Sequence, residues 1–272
     1  SINTIGYGNI ALGYNTLKSN TTGCYNSAQG YKTLHSNTIG INNIAQGYCA
    51  LYSNTTGNFN IALGFRALIS QVYGNNNVAI GRGAMYGSIA GNSNIGIGTE
   101  TLYGNTEGRS NIAIGSKSMY GNTEGCANIA LGCNSLYGNT TGICNIGIGI
   151  CSGLNITTGQ NNTVIGSLPG TSNMQCTLLL GAGTCERVKV DNTGLYVNGS
   201  LFTSGSEPAT PTSLGTVYAY TTSNNRNTYI GYCAGNILSG DGNYNIAIGE
   251  CTLSSNSTGR CNIAIGAQSL YV

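Results

Sequence analysis

An all-β fold is predicted, a parallel β-solenoid (β-roll) of 17-residue coils interrupted by a β-hairpin insertion, and three features of the 272-residue chain predict it. A five-residue word, Asn-Ile-Ala-(Ile/Leu)-Gly, recurs thirteen times in recognisable form. Its first ten copies follow one another every 17 residues without a slip. Gly accounts for 43 residues, and only 7% of residues are charged, against about a quarter in ordinary domains. A short fixed period denotes a stack of near-identical coils, each too small to bury its own apolar face. The Ile or Leu pair kept in almost every unit supplies the apolar surface that disordered polar tracts lack.

The word opens at Asn9, Asn26, Asn43, Asn60, Asn77, Asn94, Asn111, Asn128, Asn145 and Asn162, and again at Asn227, Asn245 and Asn262. Residues 128–144 show one whole unit. Asn128-Ile129-Ala130-Leu131-Gly132 alternates like a short strand. A second strand is expected around Leu136, whose column repeats as Leu17, Leu34, Leu51, Leu68, Met85, Leu102 and Met119. Asn139-Thr140-Thr141-Gly142 then reads as a turn, because Asn bonds its own backbone and Gly supplies positive φ. Stacking at about 4.8 Å pairs each strand in parallel with its neighbours. The Ile columns (Ile10, Ile44, Ile61, Ile95, Ile112, Ile129) and the Leu/Ile columns after them are expected to point inward. Ala11, Ala45, Ala62, Ala79, Ala113 and Ala130 would then pave a flat outer face suited to another chain. Gln29 and Gln46 sit in one of the apolar columns, which implies either a short amide ladder or the reverse assignment of faces. The unbroken Asn column reads as a structural amide ladder in preference to a ligand-binding stripe.

Three segments follow. Residues 1–166 form a solenoid of about ten coils, 167–226 an inserted module, and 227–272 about three further coils. In the insert, alternation over Glu186-Arg187-Val188-Lys189-Val190 leads through Asp191-Asn192-Thr193-Gly194 to Leu195-Tyr196-Val197, the pattern of a hairpin. Pro208 and Pro211 mark a linker, and Val217 to Thr222 suits one more strand.

The 11 cysteines follow the repeat columns. Residues one coil apart lie within the Cα range a disulfide accepts. Cys133–Cys151, Cys233–Cys251 and Cys126–Cys144 are therefore candidate rungs and Cys176–Cys185 a local link, with buried free thiols as the alternative. The odd total leaves at least one thiol free or bonded between chains, and disulfides would imply an oxidising, extracellular setting.

Most chemistries are excluded. Net charge is +2 with no basic run, so neither nucleic acid nor an anionic membrane is an expected partner. The longest apolar run, Leu178-Leu179-Leu180, is far too short to span a bilayer. No Cys-x-x-Cys pair accompanies the single His35, which argues against metal and cofactor sites. Glu107 and Glu124 occupy equivalent positions in consecutive coils but read as solvated turn residues, so no catalytic residue and no enzymatic activity is expected. Asn20, Asn54 and Asn139 open Asn-x-Thr sequons that matter in a glycosylating host. A Thr column (Thr22, Thr56, Thr141, Thr158) is broken too often for an ice-binding face.

The word, followed by Ala/Ser-Leu-Tyr and Asn-Thr-x-Gly, resembles the head repeats of trimeric autotransporter adhesins and related repeats of phage and giant-virus fibres. That resemblance spans residues 1–166 and 227–272, and the segment 178–205 resembles β linkers of fibre proteins. It implies a left-handed parallel β-roll, often trimeric, in an extracellular adhesin or fibre shaft. The repeat here is longer than in those heads. The chain starts with the closing half of a coil and stops in the opening half, so it reads as a processed product or a piece of something longer. Neither end carries a cap, which leads us to expect a structural subunit of an extracellular fibre, stacked end to end through Asn3, Gly6, Asn262 and Leu270. The alternative is an adhesin or receptor-binding head with a host-surface glycan or protein as partner.

Overall fold

A computed structural model describes residues 3–198, 200–202, 219–222, 227–230, 234, 245–253 and 262–270. The linker prolines Pro208 and Pro211, Val217, and Cys233 and Cys261 lie outside the described residues. The described chain is all-β and divides into two units, Ser1–Leu201 and Phe202–Val272. In the first unit each word forms one three-residue strand: β1 (Ile10–Leu12), β2 (Ser27–Gln29), β3 (Ile44–Gln46), β4 (Ile61–Leu63) and β5 (Val78–Ile80). The series continues with β6 (Ile95–Ile97), β7 (Ile112–Ile114), β8 (Ile129–Leu131), β9 (Ile146–Ile148) and β10 (Thr163–Ile165). Neighbouring strands pair in parallel in chain order, word upon word, as in Ile129↔Ile146.

The parallel stack runs past the expected end at Gly166. β11 (Leu178–Ala182) pairs in parallel with β10 as Thr163↔Leu178, so this coil closes in 15 residues. There the chain reverses: β12 (Cys185–Asp191) is antiparallel to β11, and β13 (Gly194–Val197) is antiparallel to β12, as the hairpin reading expected. β14 (Ser200–Phe202) completes the 14-stranded sheet. In the second unit β15 (Ala219–Thr222) is antiparallel to β16 (Asn227–Ile230), and β17 (Ile246–Ile248) and β18 (Ile263–Ile265) follow in parallel.

Two expectations about the coil are corrected. The segment around Leu136 is a turn, not a second strand, and the faces of the word are reversed. Ala28, Ala45, Ala62, Ala79, Ala113 and Ala130 are all 0–1% exposed. The Ile and Leu/Ile columns face outward, with Ile44 45% and Ile114 41% exposed. The core is the Ala column packed on Leu34, Leu51, Leu68, Met85, Leu102, Met119 and Leu136, each 0% exposed. Room decides this. At Gly96, in the Ala column, an added Cβ would lie 3.2 Å from Met85 Cε and 3.7 Å from Leu102 Cδ1. One methyl fills that gap and a branched chain does not.

The Leu column reaches this core from the left-handed region of the backbone. Leu136 has φ 48, and Asn134 and Cys144 of the same coil have φ 54 and 57. Three such non-glycine residues recur in most coils, at a penalty of about 1–3 kcal/mol each. Inter-coil bonds hold them in place: Leu136 N–H donates to the Ser152 carbonyl (2.8 Å) and Cys144 N–H to the Cys126 carbonyl (3.0 Å). Gly132 is required for another reason. Its φ of +134 suits no L-residue, and a Cβ would sit 2.5 Å from the carbonyl oxygen of Gly149.

Candidate interaction surface

The Asn column is an extended, hydrogen-bonded polar array among the described residues. Asn94 is 0% exposed. Its Nδ2 donates to Asn77 Oδ1 (3.1 Å) and to the Gly108 carbonyl (2.8 Å). Its Oδ1 accepts from the backbone N–H (3.0 Å) and Nδ2 (3.1 Å) of Asn111. Backbone bonds of this kind link every neighbouring pair from Asn9 to Asn162, and Asn262 repeats the contact with Asn245. Asn227 stands beside Asn245 in the strand register. From Asn26 to Asn162 these amides are buried and committed to each other and to main-chain carbonyls, which leaves none of them facing outward for a ligand.

A second buried ladder was missed in the sequence, although its Asn opens every Asn-Thr-x-Gly turn. It runs through Asn3, Asn20, Asn37 and Asn54, and again through Asn105, Asn122 and Asn139. Gln71 and Ser88 occupy the column between the two runs, Ser88 donating to Gln71 Oε1 and Gln71 to Asn60 Oδ1, which ties this column to the first ladder. The Oδ1 atoms of Asn54 and Asn139 are buried without a partner. Both lie where the ladder stops, since the next residues in the column are Gln71 and Ile156. The sequon asparagines Asn20, Asn54 and Asn139 thus belong to this ladder, at most 2% exposed, and present no amide for a glycan.

What the strands of the middle coils turn outward is apolar. From β4 to β9 the two outward positions of each strand are Ile61 and Leu63, then Val78 and Ile80, then Ile or Leu in both positions through Ile148. Twelve aliphatic side chains cover six strands without a charge. At about 4.8 Å per strand and roughly 10 Å per three-residue width, this is on the order of 300 Å². Contiguous apolar patches of that size on monomers tend to be functional. The face carries on through Ile165 of β10 and, below, through Ile44, Ile10 and Leu12, with Thr163, Ser27, Gln29 and Gln46 as its polar members. Gln29 and Gln46 are therefore surface residues, which settles their place in the outward column.

Aromatic rings edge the stack in two files. Tyr86, Tyr103, Tyr120 and Tyr137 lie parallel with centroids 4.9, 5.0 and 5.2 Å apart, and Tyr14, Tyr31, Tyr48 and Phe65 form a similar file. Stacked rings cover one another's faces, so each interior ring offers a ligand only its edge. His35 stacks on Tyr52 at 4.9 Å, and burial followed by Lys18 and Lys32 holds its pKa below the ordinary value.

The remaining candidates are scattered. Cys24, Cys49, Cys126, Cys133, Cys144, Cys151, Cys176 and Cys185 are free thiols, and the candidate rung Cys233–Cys251 involves a residue outside the described ones. Cys126 and Cys144 are backbone neighbours, as are Cys133 and Cys151 (N–H to carbonyl, 2.9 Å). Cys176 and Cys185 are not. The β11–β12 register sets Cys185 opposite Ala182, while Cys176 precedes Leu178 at the far end of the ladder. Six residues of strand is roughly 20 Å, beyond the ~7 Å limit of a disulfide. Glu107 and Glu124 are exposed turn residues. Asn3 and Gly6 sit in the second ladder's first turn, and Leu270 of the second unit is 54% exposed. Among the described residues no group of three His, Cys, Asp or Glu is placed to hold a metal. No helix among them is long and apolar enough to cross a membrane. No family model, characterised protein or solved structure matches this chain.

Proposed function

We propose that the chain is a structural subunit of an extracellular fibre, its coils forming the shaft and its outward Ile/Leu face packing against further copies. The observation that carries this reading is the uncharged aliphatic face of β4 to β9. A second copy suits it better than a polar ligand. The face is flat, lacks hydrogen-bonding side chains from Ile61 to Ile148, and repeats with the coil, so an identical face meets it in register. Burial stabilises such a contact by about 25 cal/mol per Å² of apolar surface removed from water, before the entropy of association is subtracted. The resemblance of the word to adhesin-head and fibre repeats supports the extracellular setting and a homo-oligomer. End-to-end continuation of the coils is part of the same reading. A parallel stack bonds each coil to the next through its backbone, and the role is structural rather than catalytic.

The test is light scattering coupled to size exclusion, with negative-stain images of the same samples. Wild type is expected as an oligomer or fibre, and Ile97→Glu/Ile114→Glu as a folded monomer with unchanged far-ultraviolet circular dichroism. A wild type that stays monomeric at high concentration overturns the proposal. So does a double variant that assembles as before.

A further inference from the structure

The period breaks at residues 167–177, and a recess of about 740 Å³ opens there between the shortened coil and the β11–β12 hairpin. We propose that this recess is a binding site for a neutral, hydroxyl-rich ligand, an oligosaccharide. Its lining is unlike the rest of the molecule. Only 7% of the chain is charged, yet Glu186, Lys189 and Asp191 all line this one recess. Its apolar part includes Met174 and Leu179 beside Leu168 and Pro169, and Gln175 is one of three amides in the lining, with Asn173 and Asn192. The volume falls within the roughly 300–1,000 Å³ range of ligand pockets.

The charges define what the recess accepts. Lys189 Nζ lies 2.7 Å from Asp191 Oδ2 and 5.0 Å from the centre of the Tyr196 ring. Thr193 donates its backbone N–H to Asp191 Oδ1 at 2.9 Å, and its hydroxyl pairs with Tyr196 Oη at 2.6 Å. The ion pair is thus braced from both sides, with the Asp191 carboxyl held below the usual carboxylate range by Lys189 and then Thr193. The Glu186 carboxylate makes no hydrogen bond or ion pair among the described residues. With Lys189 and Asp191 neutralising each other, the lining carries one unbalanced negative charge, which disfavours an anion. A single free carboxylate is too little to hold a metal ion. It suits paired hydroxyls, since an ionised carboxylate accepts up to about four hydrogen bonds. An amide beside it both donates and accepts, and Met174 and Leu179 give the C–H face of a sugar ring an apolar seat. The interior tyrosines of the stacked files, by contrast, have no free ring face for a sugar.

The site is separate from the lateral face and does not rest on the fibre reading. The full chain is titrated, by saturation-transfer NMR and calorimetry, with neutral glucose-, galactose- and N-acetylglucosamine-based trisaccharides and with sialyllactose. We expect saturable binding of a neutral trisaccharide, weakened tenfold or more by Glu186→Gln and by Gln175→Ala. Glu124→Gln, an exposed glutamate in a regular coil, is expected to bind as wild type. Absence of binding to every neutral trisaccharide overturns the assignment, as does binding that survives both lining variants or a preference for sialyllactose.

Discussion

Replacing Asn94 tests whether the repeated Asn is a structural ladder or a stripe that a ligand reads. Asn94→Ala removes the two bonds its Nδ2 donates and the two its Oδ1 accepts. The backbone N–H of Asn111 and the carbonyl of Gly108 then lose these partners inside a wall that is 0% exposed at Asn94 and Asn111. The Gly108 carbonyl keeps the Nδ2 of Asn105 at 3.3 Å, so the Asn111 N–H is the group left orphaned, a loss of about 1–3 kcal/mol. A solvent-facing Asn would change stability by no more than about 0.5 kcal/mol. Asn94→Asp adds a sign. Its carboxyl keeps an acceptor toward Asn111 but turns a second oxygen on Asn77 Oδ1 and the Gly108 carbonyl. Only the protonated form supplies a donor there, so the folded pKa lies above the unfolded value of about 3.9. That support is complete below the unfolded value and is lost as pH rises through the folded one. The Asp variant should therefore melt closest to wild type near pH 3 and fall progressively behind toward pH 7. Thermal and urea unfolding, followed by circular dichroism at several pH values, measure both. An Ala variant within about 0.5 kcal/mol of wild type would refute the ladder as a source of stability.

Three further outcomes are expected. Gly153 and Ile156 replace the Leu and Asn of their columns, and a Cβ on Gly153 would lie 2.6 Å from Leu136 Cδ2 and 3.2 Å from Ile156 Cδ1. Gly153→Leu should destabilise by about 1–3 kcal/mol through overpacking and Ile156→Asn by about 2–5 kcal/mol; the double variant, which also gives Asn139 Oδ1 its missing donor, should recover most of both, and additive losses in urea unfolding would contradict this size exchange. Oxidation with glutathione disulfide should link Cys126 to Cys144 and Cys133 to Cys151 but never Cys176 to Cys185 within one chain, as read by non-reducing peptide mass spectrometry. When the chain is secreted from a glycosylating host, the folded fraction should be unmodified at Asn20, Asn54 and Asn139, and a glycan on any of them in folded protein would contradict their burial.

The period was legible because it is one-dimensional. Ten copies of a word at one fixed spacing require a stack, and a stack of identical strands in register must pair in parallel. The opening Asn column was legible as a ladder for the same reason, since identical amides at strand spacing bond one another. The hairpin after Cys185 was legible from its alternation and its Asp191-Asn192-Thr193-Gly194 turn. The second Asn ladder was hidden in plain view. Its asparagines read as turn formers, and turn asparagines are ordinarily solvated.

By itself the sequence determined the coil length, the parallel order and the Asn ladder, all of which follow from repetition. It left undecided which face of the word is inside, because alternation with period two separates two sets of side chains without naming either as the core. Tertiary structure decided that. The coils close so tightly that a Cβ on Gly132 would lie 2.5 Å from the next coil's backbone, and the Leu column enters from a left-handed turn that no strand pattern announces. Between that column and the strand there is room for Ala and not for Ile. The branched side chains are therefore turned outward, onto the face proposed here to join one copy to the next.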